Sequence, residues 1–185
     1  MTPEQIREFV IAGHWDLPKV QAMLAEDPDL LNARQQWAED DFETAIQAAS
    51  HAGSPHVAEF LLAQGAPMAI YTAAMLGRTD IVEEILRQDP EQINTLGAHG
   101  IPLLPHAAFS GSVDLVQMLY ERGAKTGVSM ALSNAVSRGH AAVVRWILAH
   151  GTPKLDWKNY EGKTALDIAT ARGDDEMAQL LRQAQ

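Results

Sequence analysis

Pairs of apolar residues one helical turn apart recur along this chain. They are Val57 with Leu61-Leu62, Ile81-Val82 with Ile85-Leu86, Leu115-Val116 with Leu119-Tyr120, Val143-Val144 with Ile147-Leu148, and Met177-Ala178 with Leu180-Leu181. Spacing of this kind predicts helices with one apolar stripe. Each stripe follows a glycine, at Gly53, Gly77, Gly111, Gly139 and Gly173, and Gly13 marks an earlier unit of the same kind. The third and fourth residues before each of the five later glycines are mostly small: Ala49-Ser50, Ala73-Ala74, Ala107-Ala108, Ala135-Val136 and Ala169-Thr170. The pattern predicts six units, each a short helix, a tight turn and a second helix. Neither helix can bury its stripe alone, and the small residues let neighbouring units approach closely.

Helix starts are marked by Ser54-Pro55, Thr79-Asp80, Ser112 and Asp174-Asp175-Glu176, and stops by Gly65, Asp89-Pro90, Gly123 and Gly151. Thr2-Pro3-Glu4-Gln5 suits a first helix with a capping box. Unit 1 departs from the rest. It has Phe9-Val10 at the small positions and two extra residues after Gly13, as expected of an end unit with no neighbour on its outer side. Trp15, at its turn, and Trp146, in a second-helix stripe, both read as structural.

Three stretches carry a family resemblance: Glu161-Gly162-Lys163-Thr164-Ala165-Leu166-Asp167-Ile168-Ala169 with Gly173, the unit from Thr44 to Ala66, and Gly100-Ile101-Pro102-Leu103-Leu104-Pro105-His106-Ala107-Ala108 with Gly111. In these the chain resembles an ankyrin-repeat protein, whose unit is a turn plus two helices over about 33 residues with a T-P-L-H-x-A signature. The resemblance covers residues 4–183. It implies an all-α fold, an α-solenoid of about six ankyrin-like helix-turn-helix repeats with short β-hairpin turns, in one domain. The repeats are expected at about 2–36, 37–66, 67–96, 97–124, 125–155 and 156–185. The signature histidine is replaced by Gln47, Tyr71, Pro105, Ser133 and Asp167, with His106 one residue late. Gly53 and Gly77 are 24 residues apart and Gly111 and Gly139 are 28, against 34 for the other two intervals. The missing residues must come from the projecting hairpins of units 3 and 5. Full fingers are therefore expected only near Asp40–Glu43, Gly97–Ile101 and Asp156–Lys163.

Composition narrows the function. A formal net charge of −10 argues against nucleic acid, because phosphate binding needs clustered Lys and Arg. Cysteine is absent, so disulfides and thiolate metal sites are excluded. No stretch approaches the roughly 20 apolar residues that span a membrane, and the start lacks a signal-peptide pattern. A cytoplasmic monomer is expected.

The resemblance implies a non-catalytic protein-interaction module that holds an unidentified partner protein on its concave face. The candidate contact residues are Asp40, Asp41, His51, Met75, Leu76, His99, Ile101, Phe109, Arg138 and Tyr160. Met75, Leu76 and Phe109 stand at positions expected to face water and read as the apolar anchor, with space-filling beneath the missing third finger as the alternative. Glu43 is placed at a fingertip beside Asp40 and Asp41, with Trp37 and Phe42 either anchoring a basic partner or tucking onto units 1 and 2. A homo-oligomeric scaffold using the same apolar patch is a second reading. A metal-dependent enzyme is a third, and it would need His51, His99 and His106 to converge with Asp40 and Asp41. None of these stands at H-x-x-x-H or H-E-x-x-H spacing, and there is no phosphate loop or nucleophile elbow, so no catalytic, cofactor or metal site is expected.

Overall fold

The computed structural model describes residues 1–184; Gln185, the last residue of the expected sixth unit, lies outside them. The fold is an all-α solenoid of helix-turn-helix repeats. The inner helices are α1 (Pro3–Gly13), α3 (Ala45–Ala52), α5 (Ile70–Met75), α7 (Leu103–Ala108), α9 (Val128–Arg138) and α11 (Ala165–Ala171). Each is followed by an outer partner: α2 (Leu17–Glu26), α4 (Pro55–Ala63), α6 (Thr79–Gln88), α8 (Val113–Glu121), α10 (Ala141–His150) and α12 (Asp175–Gln183). Successive inner helices pack on one another in a row. Their contact faces are the small-residue pairs, and Ala49, Ser50, Ala73, Ala74, Ala107, Ala108, Ala135 and Val136 are all fully buried.

Local chemistry starts the helices where the sequence marks them. Thr2, Thr44 and Thr164 each cap a helix, with Gln5, Gln47 and Asp167 closing the capping box. Gly13 is not the turn residue its register suggested. It is the last residue of α1, and a Cβ there would lie 2.7 Å from the Ala45 carbonyl oxygen, so it serves the close approach of α1 to α3. Gly53 does close its turn in the left-handed region, at φ 67°.

The hydrophobic core forms two clusters. One joins units 1 and 2 and reaches forward to Met75; the other runs from Ile70 through unit 6. Unit 3 sits where they meet and is the shortest link. Only residues 64–69 separate α4 from α5, with no finger. In unit 2, by contrast, β1 (Gln35–Ala38) and β2 (Asp41–Glu43) pair as an antiparallel hairpin. The fourth finger is a tight turn closed by Gly97 N–H to the Ile101 carbonyl (2.8 Å), and the sixth by Asn159 N–H to the Lys163 carbonyl (2.9 Å).

The space left by unit 3 does not stay open. Finger 4 folds back onto finger 2, where the His99 backbone N–H donates to Asp41 Oδ1 (3.0 Å) and its ring Nδ1 pairs with Asp41 Oδ2 (2.7 Å). His99 holds a left-handed φ of 58°, which costs a non-glycine residue about 1–3 kcal/mol unless its surroundings compensate. The two contacts to Asp41 offset that cost. At the other end of the inner helices, the Phe109 ring of unit 4 lies over Gly53 of unit 2. Arg138 of unit 5 donates to the Ala52 carbonyl (3.1 Å) and the Gly53 carbonyl. Units 2 and 4 thus touch above and below unit 3.

Candidate functional site

Closure over unit 3 assembles a cluster around one carboxylate. Glu43 ends strand β2 and points inward, 0% exposed. Its Oε1 faces three imidazoles: His51 Nε2 at 2.5 Å, His99 Nε2 at 3.4 Å and His14 Nε2 at 3.8 Å. Its Oε2 accepts from the Trp37 indole N–H at 2.7 Å. The rings meet edge to face, with centroids 5.0 Å apart for His14 and His51 and 5.1 Å for His51 and His99. Each side chain arrives from a different element. His14 caps α1, His51 sits in the last turn of α3, Trp37 and Glu43 come from the hairpin, and His99 from finger 4.

Hydrogen bonds on the far side of the rings fix their tautomers. His14 Nδ1 touches the carbonyl oxygens of Val10 (3.2 Å) and Ile11 (3.1 Å), both acceptors, so Nδ1 carries a proton. His99 Nδ1 faces the Asp41 carboxylate and carries one for the same reason. In their neutral forms both rings therefore aim an Nε2 lone pair at Glu43 Oε1. Burial pushes the Glu43 carboxyl up, but the hydrogen bond and charge of His51, the charge of His14 and the Trp37 hydrogen bond outweigh it and hold it below the usual carboxylate range. Burial pulls His14 below the usual histidine range, against the raising effect of Glu43. The group can act as an acid–base pair or hold a divalent cation, with His14, Glu43 and His51 offering ligand atoms within 4.8 Å of one another.

The cluster stands at the head of a concave groove of about 1060 Å³ that runs along the inner helices. Phe109, Met130, Trp157 and Tyr160 supply its apolar and aromatic surface, and Arg138, Arg172 and Lys163 its positive charge. Glu161 is the one carboxylate among its lining residues.

The candidate residues divide. His51, His99, Ile101, Phe109, Arg138 and Tyr160 line the groove, and Tyr160 is 96% exposed. Asp41 lies behind His99 as its hydrogen-bond partner, while Asp40 is exposed at the hairpin tip and takes no part in the cluster. Met75 is a correction: it is 3% exposed, packed in the core of units 1 and 2. Leu76 and Phe109 pack on that core half-buried. The third unit is recessed and unit 4 roofs it, so Met75 fills space in the core while Phe109 keeps a side on the groove. His106 is likewise removed from the proposed convergence, buried with its Nδ1–H given to the Pro102 carbonyl (2.9 Å). Trp15 is 70% exposed and not structural, whereas Trp146 packs between Tyr120 and His150. Sequence reasoning missed His14 and the inward turn of Glu43. The signal for Glu43 was the strand: residues alternate sides, and its neighbour Thr44 had to start α3.

Residues 104–185 match the family model of ankyrin repeats (3 copies). Ankyrin repeat and SAM domain-containing protein 6 of Rattus norvegicus is 31% identical over 112 residues, which is 57% of this chain and 12% of that protein. The Mus musculus protein of the same name matches to the same extent. Ankyrin repeat protein nuc-2 of Neurospora crassa is 26% identical over 135 residues, 65% of this chain and 13% of its own length. The chain thus spans only 12 to 13% of the length of these relatives. Residues 104–185, the last three helix pairs, are ankyrin repeats by this match, and the same helix-turn-helix unit continues back to Pro3.

Proposed function

We propose that this protein is a binding module that holds an extended acidic segment of another protein in its concave groove. Ankyrin repeats generally act as protein-interaction modules, and the groove is where this chain offers large side chains to a partner. The observation that carries the reading is charge. In a chain of formal charge −10, the groove lining holds three cations, Arg138, Arg172 and Lys163, against the single carboxylate of Glu161. Such a surface attracts an acidic strand and repels a basic one. Trp157, Tyr160, Met130 and Phe109 would take its apolar side chains, as aromatic anchors commonly do at interfaces. A self-associating scaffold built on Met75, Leu76 and Phe109 is less well supported, because Met75 is packed in the core and Leu76 is half-buried against it.

Selection of random peptides displayed on phage against the immobilised full chain tests this reading. Peptides enriched in Asp and Glu between apolar residues are expected. Their affinity should drop with added salt and fall at least about tenfold in Tyr160→Ala/Lys163→Glu, with unchanged helical circular dichroism. Enrichment of basic peptides, or binding indifferent to the double substitution, contradicts it.

A further inference from the structure

We propose that His14, His51, His99 and Glu43 form a binding site for one divalent transition-metal ion of the zinc class, which staples finger 4 to units 1 and 2. Three neutral imidazoles and a carboxylate are ligands that such ions accept in four-coordinate geometry. Two ligands on a tetrahedral zinc lie about 3.3 Å apart, given metal–ligand bonds of about 2.0–2.1 Å. Glu43 Oε1 stands 3.4 Å from His99 Nε2 and 3.8 Å from His14 Nε2. Of the three pairs with Glu43, only that of His51, at 2.5 Å, must part, by under 1 Å; His14, Glu43 and His51 already offer atoms within 4.8 Å of one another, and the His99 ring must shift inward to join them.

The outer contacts favour a cation at this point. His99 Nδ1–H is held by Asp41 and His14 Nδ1–H by backbone carbonyls, the arrangement that orients metal-ligating histidines and leaves Nε2 as the donor. Glu43 Oε2 is held by Trp37. Without a cation, the His14 and His99 lone pairs oppose a carboxylate oxygen inside the fold, and among the described residues no lysine or arginine pairs with Glu43. Protons on the rings would answer this only by placing imidazolium charges about 5 Å apart. One divalent ion replaces them, and its charge is balanced by Glu43 and Asp41. As the metal enters, the Nε2 proton that His51 shares with Glu43 is exchanged through solvent for one on Nδ1, so the ring stays neutral and its Nε2 becomes the donor. The site does not depend on the groove reading and stands or falls apart from it.

Calorimetric titration of the full chain, stripped by chelator, with zinc(II) alone should show one equivalent bound together with a rise in Tm. Cobalt(II) in its place should give the intense visible absorption of a four-coordinate ion. His56→Gln/His150→Gln, which removes two exposed histidines elsewhere, should keep this equivalent. His14→Gln/His99→Gln should lose it, and Asp41→Asn should weaken it about 10–100-fold. Circular dichroism of each stripped variant checks that it folds, and the wild-type cobalt spectrum decides the matter if one does not. Absence of uptake by the wild-type chain, a six-coordinate cobalt spectrum, or uptake that survives His14→Gln/His99→Gln and vanishes in His56→Gln/His150→Gln overturns the proposal.

Discussion

His106 lies against Tyr71, ring centroids 5.5 Å apart, and gives its Nδ1–H to the Pro102 carbonyl. Burial pushes its pKa down to about 4; the Pro102 hydrogen bond opposes the shift and the His51 charge adds to it. The unfolded chain binds this proton near pH 6.5, so the folded state is favoured fully above that value and loses the advantage as pH falls toward about 4. The loss amounts to about 3 kcal/mol. Glu43 acts lower: its depressed carboxyl contributes fully above about pH 4.3 and is lost only below. Urea unfolding between pH 7 and 4 should therefore show a fall in stability that His106→Gln flattens by about 3 kcal/mol. Parallel profiles for the two proteins would show that His106 is not buried neutral. At this scale the histidines themselves were visible in the sequence, but not which of them converge. His106 and His99 are seven positions apart on the same unit, and only the backbone turn at His99 sends one toward Glu43 and the other into the core.

Elements were the more legible part. Capping threonines, stop glycines and small-residue pairs are local signals that act through hydrogen bonds or sterics within a few residues, and the helices obey them. What crossed between elements was hidden. Gly53 shows this, since its left-handed turn was readable and the ring above it was not. A Cβ at Gly53 would meet Phe109 at 2.6 Å, while one at Gly173, with the same φ of 67°, meets nothing within 4 Å. Gly173→Ala should cost about 1 kcal/mol of backbone strain, and Gly53→Ala a further 1–3 kcal/mol for displacing the ring. Equal costs in chemical denaturation would mean that Phe109 does not rest on unit 2.

For the whole molecule, the 24-residue interval between Gly53 and Gly77 exposed the missing finger in unit 3. The same interval could not tell a gap left open for a partner from a gap closed by unit 4, because that depends on the curvature summed over several units. The structure closes it, and the closure places His99 beside His51, buries Met75 and leaves a groove that runs from His14 and His51 to the aromatic and cationic side chains of units 4 to 6. Both functional readings start from that contact between finger 2 and finger 4. The measurement that reaches it most directly is a nuclear Overhauser spectrum of the histidine ring protons in the full chain. Cross-peaks from His51 to both His14 and His99 are predicted, from ring centroids 5.0 and 5.1 Å apart. A His51 ring that reports His14 but not His99 would mean that the fingers stand apart, and would contradict the closure.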